Sequence, residues 1–552
     1  MIKHDCMTFH ARIFVSLLTL ILVITDVQAT DYFVHPGKGN DANSGLSFSQ
    51  AIKTLERASQ LPLSPGDRLL LAAGQRHPGS LILTGLQGHP NRPIIVTSIP
   101  WPNSLTREPA LIDARGFAQA LLIRNCQYIH VDSLHIEGNG YIHKQPGLTM
   151  RCGILVTATG KNLTEGITLS NIRIQDLFYE NPGYLRPSKE VATANGTQAY
   201  GWGIRVMSTD ESSRIENIRI QGCHIENIGH TGIKLTGARQ NISRVWLYNN
   251  RVIRTGGPGI QLSNVKLAHI ANNEVTYSGS TDDTRKWGRG SGLWTWSSSN
   301  ILIEKNRFTY ANGPGDSAGA HIDFNCDNVV LQYNFSAYNA GGFCEILGNT
   351  FNCAYRYNIS VNDGIRIKGK DGAFQEGKTF WLSGYQGEAR KRKGPVNTYF
   401  YNNTIYLDQG VTAKFAIDGR SDGILIANNI FYIAGDSRMV MGDQSKPDDA
   451  ADERLSRVHF SNNLYLKPGN WPADLLIQDN APLFGDPEFA GGGGLSPSDY
   501  LPENQKLIKD KGIKIDYLTD DAIGVMQGLH VTEDILGKGI EGPADLGALE
   551  ID

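Results

Sequence analysis

From about Ala120 onward the chain repeats one pattern of polarity: a Gly, a short run of alternating apolar and polar residues, a turn, a second run, then Asn-Asn or Tyr-Asn and a third run. Segments such as Ile301-Leu-Ile-Glu-Lys-Asn306 and Val329-Val-Leu-Gln-Tyr-Asn334 are too short for helices and rich in β-branched residues, so they are predicted as strands. The recurring asparagines align as Asn250, Asn273, Asn306, Asn334, Asn358, Asn403, Asn429 and Asn463, with spacings of 23, 33, 28, 24, 45, 26 and 34 residues. A minimum spacing with larger values above it is what a coil of fixed circumference gives when loops are inserted at its corners. The fold class is therefore all-β, a parallel β-helix solenoid of about a dozen rungs. An Asn at one recurring corner tolerates a left-handed backbone and can hydrogen-bond its equivalent one rung away. Such a ladder is buried, so glycosylation at the sequons Asn334-Phe-Ser and Asn358-Ile-Ser is not expected.

The ends read differently from the repeat. Asp31-Tyr-Phe-Val is followed by an Asn40–Gly45 loop, then by Ala51–Ala58, whose Ile52, Leu55 and Ala58 form one apolar helical face. A short helix there would cap the first rung, because an open solenoid exposes unpaired strand edges. Pro65-Gly-Asp67 then turns into the strand Arg68-Leu-Leu-Leu-Ala-Ala. With the closing phrases Leu483-Phe-Gly-Asp-Pro-Glu-Phe489, Leu495-Ser-Pro497 and Asp545-Leu-Gly-Ala-Leu-Glu550, this opening resembles the secreted pectate-lyase-like superfamily of right-handed parallel β-helix proteins. The resemblance covers nearly the whole chain after the first 29 residues and implies a right-handed coil acting on polysaccharide. It does not specify a reaction, since one fold hosts many. The expected divisions are a signal peptide over 1–29, an N-terminal cap and first rungs over 30–118, the repeats over 119–470, and C-terminal rungs with a tail packed on the solenoid over 471–552.

Residues 1–29 carry Lys3 and Arg12, an apolar run from Ile13 to Ile24 and a small-residue site at Ala29, the pattern of a cleaved secretory leader. The mature chain is thus expected to be secreted or periplasmic, monomeric and without membrane insertion. A net charge of −3 argues against nucleic acid, whose binding rests on many Lys and Arg contacts to phosphate. Removal of Cys6 with the leader leaves Cys126, Cys152, Cys223, Cys326, Cys344 and Cys353. Their spacing forms no metal motif; they are read mainly as rung packing, with one or two disulfides allowed.

In a stacked coil the outward position of a strand repeats up the rungs, so columns are the unit in which chemistry can assemble. Aligning the Gly-led strands gives the column Arg205, Lys234, Gln261, Trp294, Asp323, Glu345 and Arg366, with Trp296, His321 and Lys368 beside it. Trp faces stack on sugar rings, and two carboxylates on adjacent rungs push their pKa values apart, as a general acid and its partner require. Asp323, Glu345 and His321 are the candidate catalytic residues; Lys234, Gln261, Trp294, Trp296, Arg366 and Lys368 are the candidate substrate contacts. Asp316, in the Gly313–Ala320 loop, reads as a turn residue or a third acid.

Three activities stay open on these residues. The first is hydrolysis of a glycosidic bond by the Asp323–Glu345 pair. The second is β-elimination on a uronate polymer, with Lys234, Arg366, Lys368 or His230 as base or carboxylate partner. The third is a non-catalytic carbohydrate-binding module or adhesin. No motif requires a cofactor; a calcium ion stays open, since Asp327, Asp363 and Asp371 could build a site for it, but they are too scattered for ligands to be assigned. The loops 179–200 and 369–394, the latter with its basic run Arg390-Lys-Arg-Lys393, are expected to set the length of the groove.

Overall fold

The computed structural model describes residues 29–141, 150–194, 196, 197, 199–440, 457–470 and 479–552. The predicted leader lies outside these residues, apart from Ala29. The chain winds into three parallel sheets of 14, 12 and 14 strands, each strand pairing with its equivalent one rung away. It is a right-handed parallel β-helix, and its strands begin at Asp31–Val34, paired with Arg68–Ala72, well before the clearest repeats. Among the described residues no helix is long and apolar enough to cross a membrane.

The interior is a set of aliphatic stacks. Ile204, Ile233, Ile260 and Leu293 occupy successive inward positions of the 12-stranded sheet, as do Val206, Leu235 and Leu262 one pleat further on, all without exposed surface. Glycine leads these strands because the rungs meet closely at that corner: a Cβ on Gly259 would lie 2.1 Å from Val275 and 2.8 Å from the Gly292 carbonyl. The six cysteines are buried thiols, none of them bridged, which corrects the allowance for disulfides. Burial pushes Cys152, Cys223 and Cys326 up to about 12, so they behave as small apolar packing groups.

The asparagine ladder runs unbroken from Asn250 to Asn463. Each amide Oδ1 accepts both the backbone N–H and the Nδ2 of the Asn one rung earlier, as Asn334 does from Asn306 at 3.0 Å in both cases. Each Nδ2 also reaches a strand carbonyl, as Asn334 does to Ile303 at 2.9 Å. The last rung is closed by Asp479, which accepts from Asn463 Nδ2 at 2.7 Å. The left-handed backbone expected of these asparagines falls instead on the preceding residue: Asn249, Asn272, Lys305, Tyr333, Tyr357, Asn402, Asn428 and Asn462 have φ between 50° and 59°. The turn thus divides its work, one residue bending the chain and the next tying it to the adjacent rung. A second, shorter ladder links Ala311, Asn339 and Asp363 at 2.8–2.9 Å near the cleft described below.

The N-terminal cap is shorter than the sequence implies. Only Leu55–Ala58 is helical, with the Thr54 hydroxyl accepting from Arg57 N–H at 3.1 Å, while Ile52 bridges to Val34 as an extension of the sheet. Leu55 and Ala58 are buried over the first rungs as expected. At the other end Val525, Leu529 and Val531 pack on Tyr333, Tyr357, Tyr399 and Tyr401, so the tail lies along the flank of the coil.

The ladder makes a quantitative prediction. Asn334→Ala strands the Asn306 amide donors and the Ile303 carbonyl in the interior, where unsatisfied polar groups cost about 1–3 kcal/mol each. We expect equilibrium denaturation to show a loss on the order of 3 kcal/mol, against little change for a substitution at exposed Lys370.

Candidate functional site

The outer face of the 12-stranded sheet carries a cleft of about 400 Å³, open along the strands from Trp202–Met207 to Gly342–Ile346. Register fixes which side chains share a column. Arg205, Lys234, Gln261, Trp294 and His321 are successive partners, and pairing of Ile322 with Ile346 puts Glu345 next after His321. His321, not Asp323, therefore follows Trp294 in this column. Asp323 stands two residues further on, in the neighbouring outward column beside Trp296. Its backbone N–H donates to Thr295 O at 2.8 Å and confirms that alignment.

The column ends differently from expectation as well. Trp381 pairs with Glu345, and Arg366 belongs to an excursion between Asp363 and Gly377 whose Ile365 and Ile367 are exposed. Arg366 donates to the carbonyls of Gln375, Gly313 and Asp316 at 2.8–3.0 Å, bracing the turn that bears Asp316 rather than facing the cleft. Lys368 is exposed on the same excursion and lines no part of the cleft. His230 is buried flat against Trp287, with ring centroids 4.5 Å apart, and does not line the cleft.

Three carboxylates meet in the cleft. Asp323 Oδ2 accepts the Trp294 indole N–H at 2.6 Å and its Oδ1 accepts the Phe324 backbone N–H at 2.7 Å. Burial, with Glu345 and Asp316 nearby, pushes the Asp323 carboxyl up to about 7 against the opposing pull of His321. Glu345 is also raised, by burial and then by Asp316. Asp316 goes the other way: burial opposes its ionisation, but the Arg289 guanidinium grips both its oxygens at 2.8 and 3.0 Å and holds it below the usual carboxylate range. Asp316 and Ser317 both sit in the left-handed backbone region, at φ 48° and 69°. Consecutive non-glycine residues there are costly and persist only where the surroundings enforce them.

His321 lies between these acids and the aromatic wall. Its Nδ1 is 2.9 Å from Ser291 Oγ and 4.0 Å from Glu345 Oε2, and its ring lies 5.4 Å from that of Trp294. Burial lowers its pKa, against the raising effect of Asp323 and Asp316. Tyr385, on the 369–394 insertion, and Ala194, at the end of the 179–200 loop, close the sides, so both predicted loops do border the groove. The basic run does not: Arg392 binds Asp418, and Lys393 lies 4.6 Å over the Phe351 ring.

Two participants escape a reading by columns. Arg289 and Asp316 come from loops between strands; Asp316 reads in the sequence as a turn residue or a third acid, and the structure favours the acid, while its partner Arg289 carries no signal in the sequence pattern. Among the described residues no group of three His, Cys, Asp or Glu is placed to hold a metal ion. Asp363 is engaged by Asn339 and Ser360 in the second ladder and is a structural acid.

Comparison with known proteins agrees with this architecture. A family model described as right handed beta helix region matches residues 202–375. A lacto-N-biosidase of Bifidobacterium longum subsp. longum is 21% identical over an alignment of 625 residues that takes in 96% of this chain and 37% of the relative. The chain thus spans little more than a third of that relative's length. The crystal structure of a GH136 lacto-N-biosidase from Eubacterium ramulus superposes with a TM-score of 0.54 at 20% identity, covering 75% of this chain and 68% of that one. A pectate lyase, Pel9A, matches 96% of this chain and 98% of its own at 14% identity, with a TM-score of only 0.41. Its three parallel sheets and its matched repeat region make this chain a right-handed parallel β-helix protein.

Proposed function

We propose that this protein is a carbohydrate-active enzyme that hydrolyses a glycosidic bond in the cleft floored by Trp294, His321 and Glu345, with Asp323 as general acid and Asp316 as its ionised partner. The observation that carries the reading is the split among neighbouring buried carboxylates. Asp323 keeps its proton near neutral pH while Asp316 is held charged by Arg289. Groups pushed apart in this way are suited to acid and base roles in one reaction. Asp323 gives its proton to the glycosidic oxygen as the C–O bond breaks. Asp316 either attacks the anomeric carbon or takes a proton from the attacking water, and the two courses give retained and inverted products respectively. Glu345, protonated and facing His321, serves in this scheme as a hydrogen-bond donor to the saccharide, with Trp294 and Trp296 as stacking surfaces.

The lacto-N-biosidase relatives support a glycosidase and make an oligosaccharide that carries lacto-N-biose the first substrate to try. Secretion or a periplasmic location, drawn from the leader, and action as a monomer belong to the same proposal. β-Elimination is the second reading, favoured by the Lys234 amine, which burial and Arg205 push down to about 7 and which can therefore act as a base.

Incubation with a panel of oligo- and polysaccharides separates the readings. New reducing ends without the ultraviolet absorbance of an unsaturated uronate are the expected result. Unsaturated products would overturn hydrolysis, and saccharide binding with neither signal would identify a binding module. Asp316→Asn and Asp323→Asn are each expected to lower kcat by about a thousandfold or more, within the range that acid–base and nucleophilic groups supply. Activity surviving in either variant would remove that residue from the mechanism.

The pH profile provides a further check. Activity in kcat/KM should fall as pH rises through about 7, where Asp323 loses its proton. The same group affects stability: the native state holds this proton while the unfolded chain gives it up near the ordinary carboxyl value of 3.8, so stability declines between that pH and about 7. Asp323→Asn should therefore raise Tm at neutral pH and remove that decline; a Tm that falls would show the ionised carboxylate to be structural.

A further inference from the structure

We propose, on the reading that Asp316 is the ionised partner in hydrolysis, that Gln375 is a positioning residue: from the loop over residues 364–377 it holds the Asp316 backbone so that the carboxylate meets Arg289 and faces the cleft.

The turn that bears Asp316 does not hold itself. Asp316 and Ser317 are both in the left-handed region, at φ 48° and 69°, which a residue with a Cβ leaves unless its surroundings oppose it. Ser317 is tied to the coil, its carbonyl accepting the Gly341 N–H at 2.7 Å. The backbone groups of Asp316 are met by side chains from the loop. Its N–H donates to Gln375 Oε1 at 2.6 Å, and its carbonyl accepts from Arg366 Nη1 at 2.8 Å. Arg366 Nε also donates to the Gln375 carbonyl at 2.8 Å, which joins the two grips into one unit. Just upstream, Pro314 O accepts the Phe374 N–H at 3.0 Å, and the Phe374 ring lies so close to Gly315 that a Cβ there would be 2.3 Å away. The Arg289 guanidinium stands 5.4 Å from the centre of that same ring. The loop therefore touches both partners of the Arg289–Asp316 ion pair, while Gln375 itself lines no part of the cleft.

Residues 364–377 form neither strand nor helix and add nothing to the sheets. What they add is an acceptor, brought from 59 residues away, to one backbone N–H. A bond between a side chain and the backbone of an acid fixes that acid's direction more than it fixes the coil. The groups facing Asp316 show what its loss would do. Burial opposes its ionisation; Arg289, then His321 and Arg366, favour it, and Asp323 and Glu345 are the acids that share the cleft. A relaxed turn loosens the two-pronged Arg289 grip while burial persists, so the carboxyl would ionise at higher pH. It would also stand away from the reacting bond, and a misplacement of about 1 Å can cost on the order of a hundredfold in rate.

The test compares two variants of the full chain: Gln375→Leu, which lacks an acceptor, and Gln375→Glu, which keeps an oxygen at the same reach. On a saccharide that the protein cleaves, Gln375→Leu is expected to lower kcat about ten- to a hundredfold with KM changed less than about twofold. The acid limb of its kcat/KM profile should move to higher pH, while Gln375→Glu keeps kcat within about threefold. A second measurement needs no substrate. At about pH 6, above the ordinary carboxyl value of 3.8, a carboxyl held below that value contributes its full stabilisation, so Asp316→Asn should lower Tm. In the Gln375→Leu background that drop should shrink to about half or less, because the grip being removed is already loose. Tm losses that simply add would overturn the positioning role. So would a Gln375→Leu enzyme with kcat and acid limb unchanged, or an equal loss of kcat in Gln375→Glu. A chain that cleaves no saccharide would remove the hydrolytic reading and leave the Tm comparison to decide whether Gln375 holds Asp316. A hydrolase whose Tm losses add would keep that reading and lose Gln375.

Discussion

Side chains drawn from a stretch of more than a hundred residues can act together here only because each rung is held in register with the next. A slip of one residue would turn an outward strand position inward and break every column at once. Strand pairing alone specifies register weakly when the residues on a face are similar, as the Ile and Val stacks of this core are. The Asn ladder supplies the missing specificity. An amide buried at the corner has both donors and its acceptor satisfied only when its neighbour is in the one matching position, as between Asn306, Asn334 and Asn358. Any other register leaves several buried polar groups without partners. Loops of any length can then be inserted between rungs without moving the cleft, which explains how the 45-residue step from Asn358 to Asn403 joins the ladder with the same 3.0 Å bond as the shorter ones.

That logic also marks what could be read in advance. The ladder, the sheets and the working face were legible because they repeat, and a repeat is visible in one sequence. The errors lie where the repeat is interrupted. In His321-Ile-Asp323 both polar residues alternate correctly, so alternation could not decide which continues the Trp294 column; the answer depends on the length of the Gly313–Ala320 turn. Ile365-Arg-Ile367 imitates a strand in its pattern, but Gly364, at φ 86°, turns the chain away, and the true rung is Lys378–Leu382. The ion pair of Arg289 with Asp316 joins two loops whose meeting depends on three-dimensional closure. It has no periodic signature at all.

The cleft gathers groups that folding disfavours. Asp323 and Glu345 are buried and held near neutrality, Lys234 is buried beside another cation, and Asp316 and Ser317 are held in a strained backbone. Each lowers the stability of the unliganded protein, and none helps the coil to form. They are tolerated because the solenoid distributes its stability over many near-identical interfaces, so a few unfavourable rungs are offset by neighbours on both sides. Concentrating such groups on one outer face, while the inward face of the same strands stays aliphatic, keeps the two demands from competing for the same positions.

The site also sits where the 12-stranded sheet is weakest. Between Ala320–Ile322 and Gly342–Ile346 the regular pairing shrinks to one register pair, Ile322 with Ile346, supplemented by an isolated bridge from Ala318 to Gly342. The other two sheets continue through these rungs, with three register pairs each between Val330–Gln332 and Ala354–Arg356 and between Phe335–Ala337 and Ile359–Val361. The Asn306–Asn334–Asn358 rungs and the shorter Asn339–Asp363 link hold their corners. One face can therefore loosen without loss of registry. Backbone freed from a regular ladder can carry the Asp316 turn and place Arg289 against it, arrangements that a fully paired strand forbids because its side chains must alternate. The chemistry of the cleft needs an acid and a base closer and less symmetric than a column supplies. In this coil that asymmetry is obtained by thinning one sheet while two others keep the register.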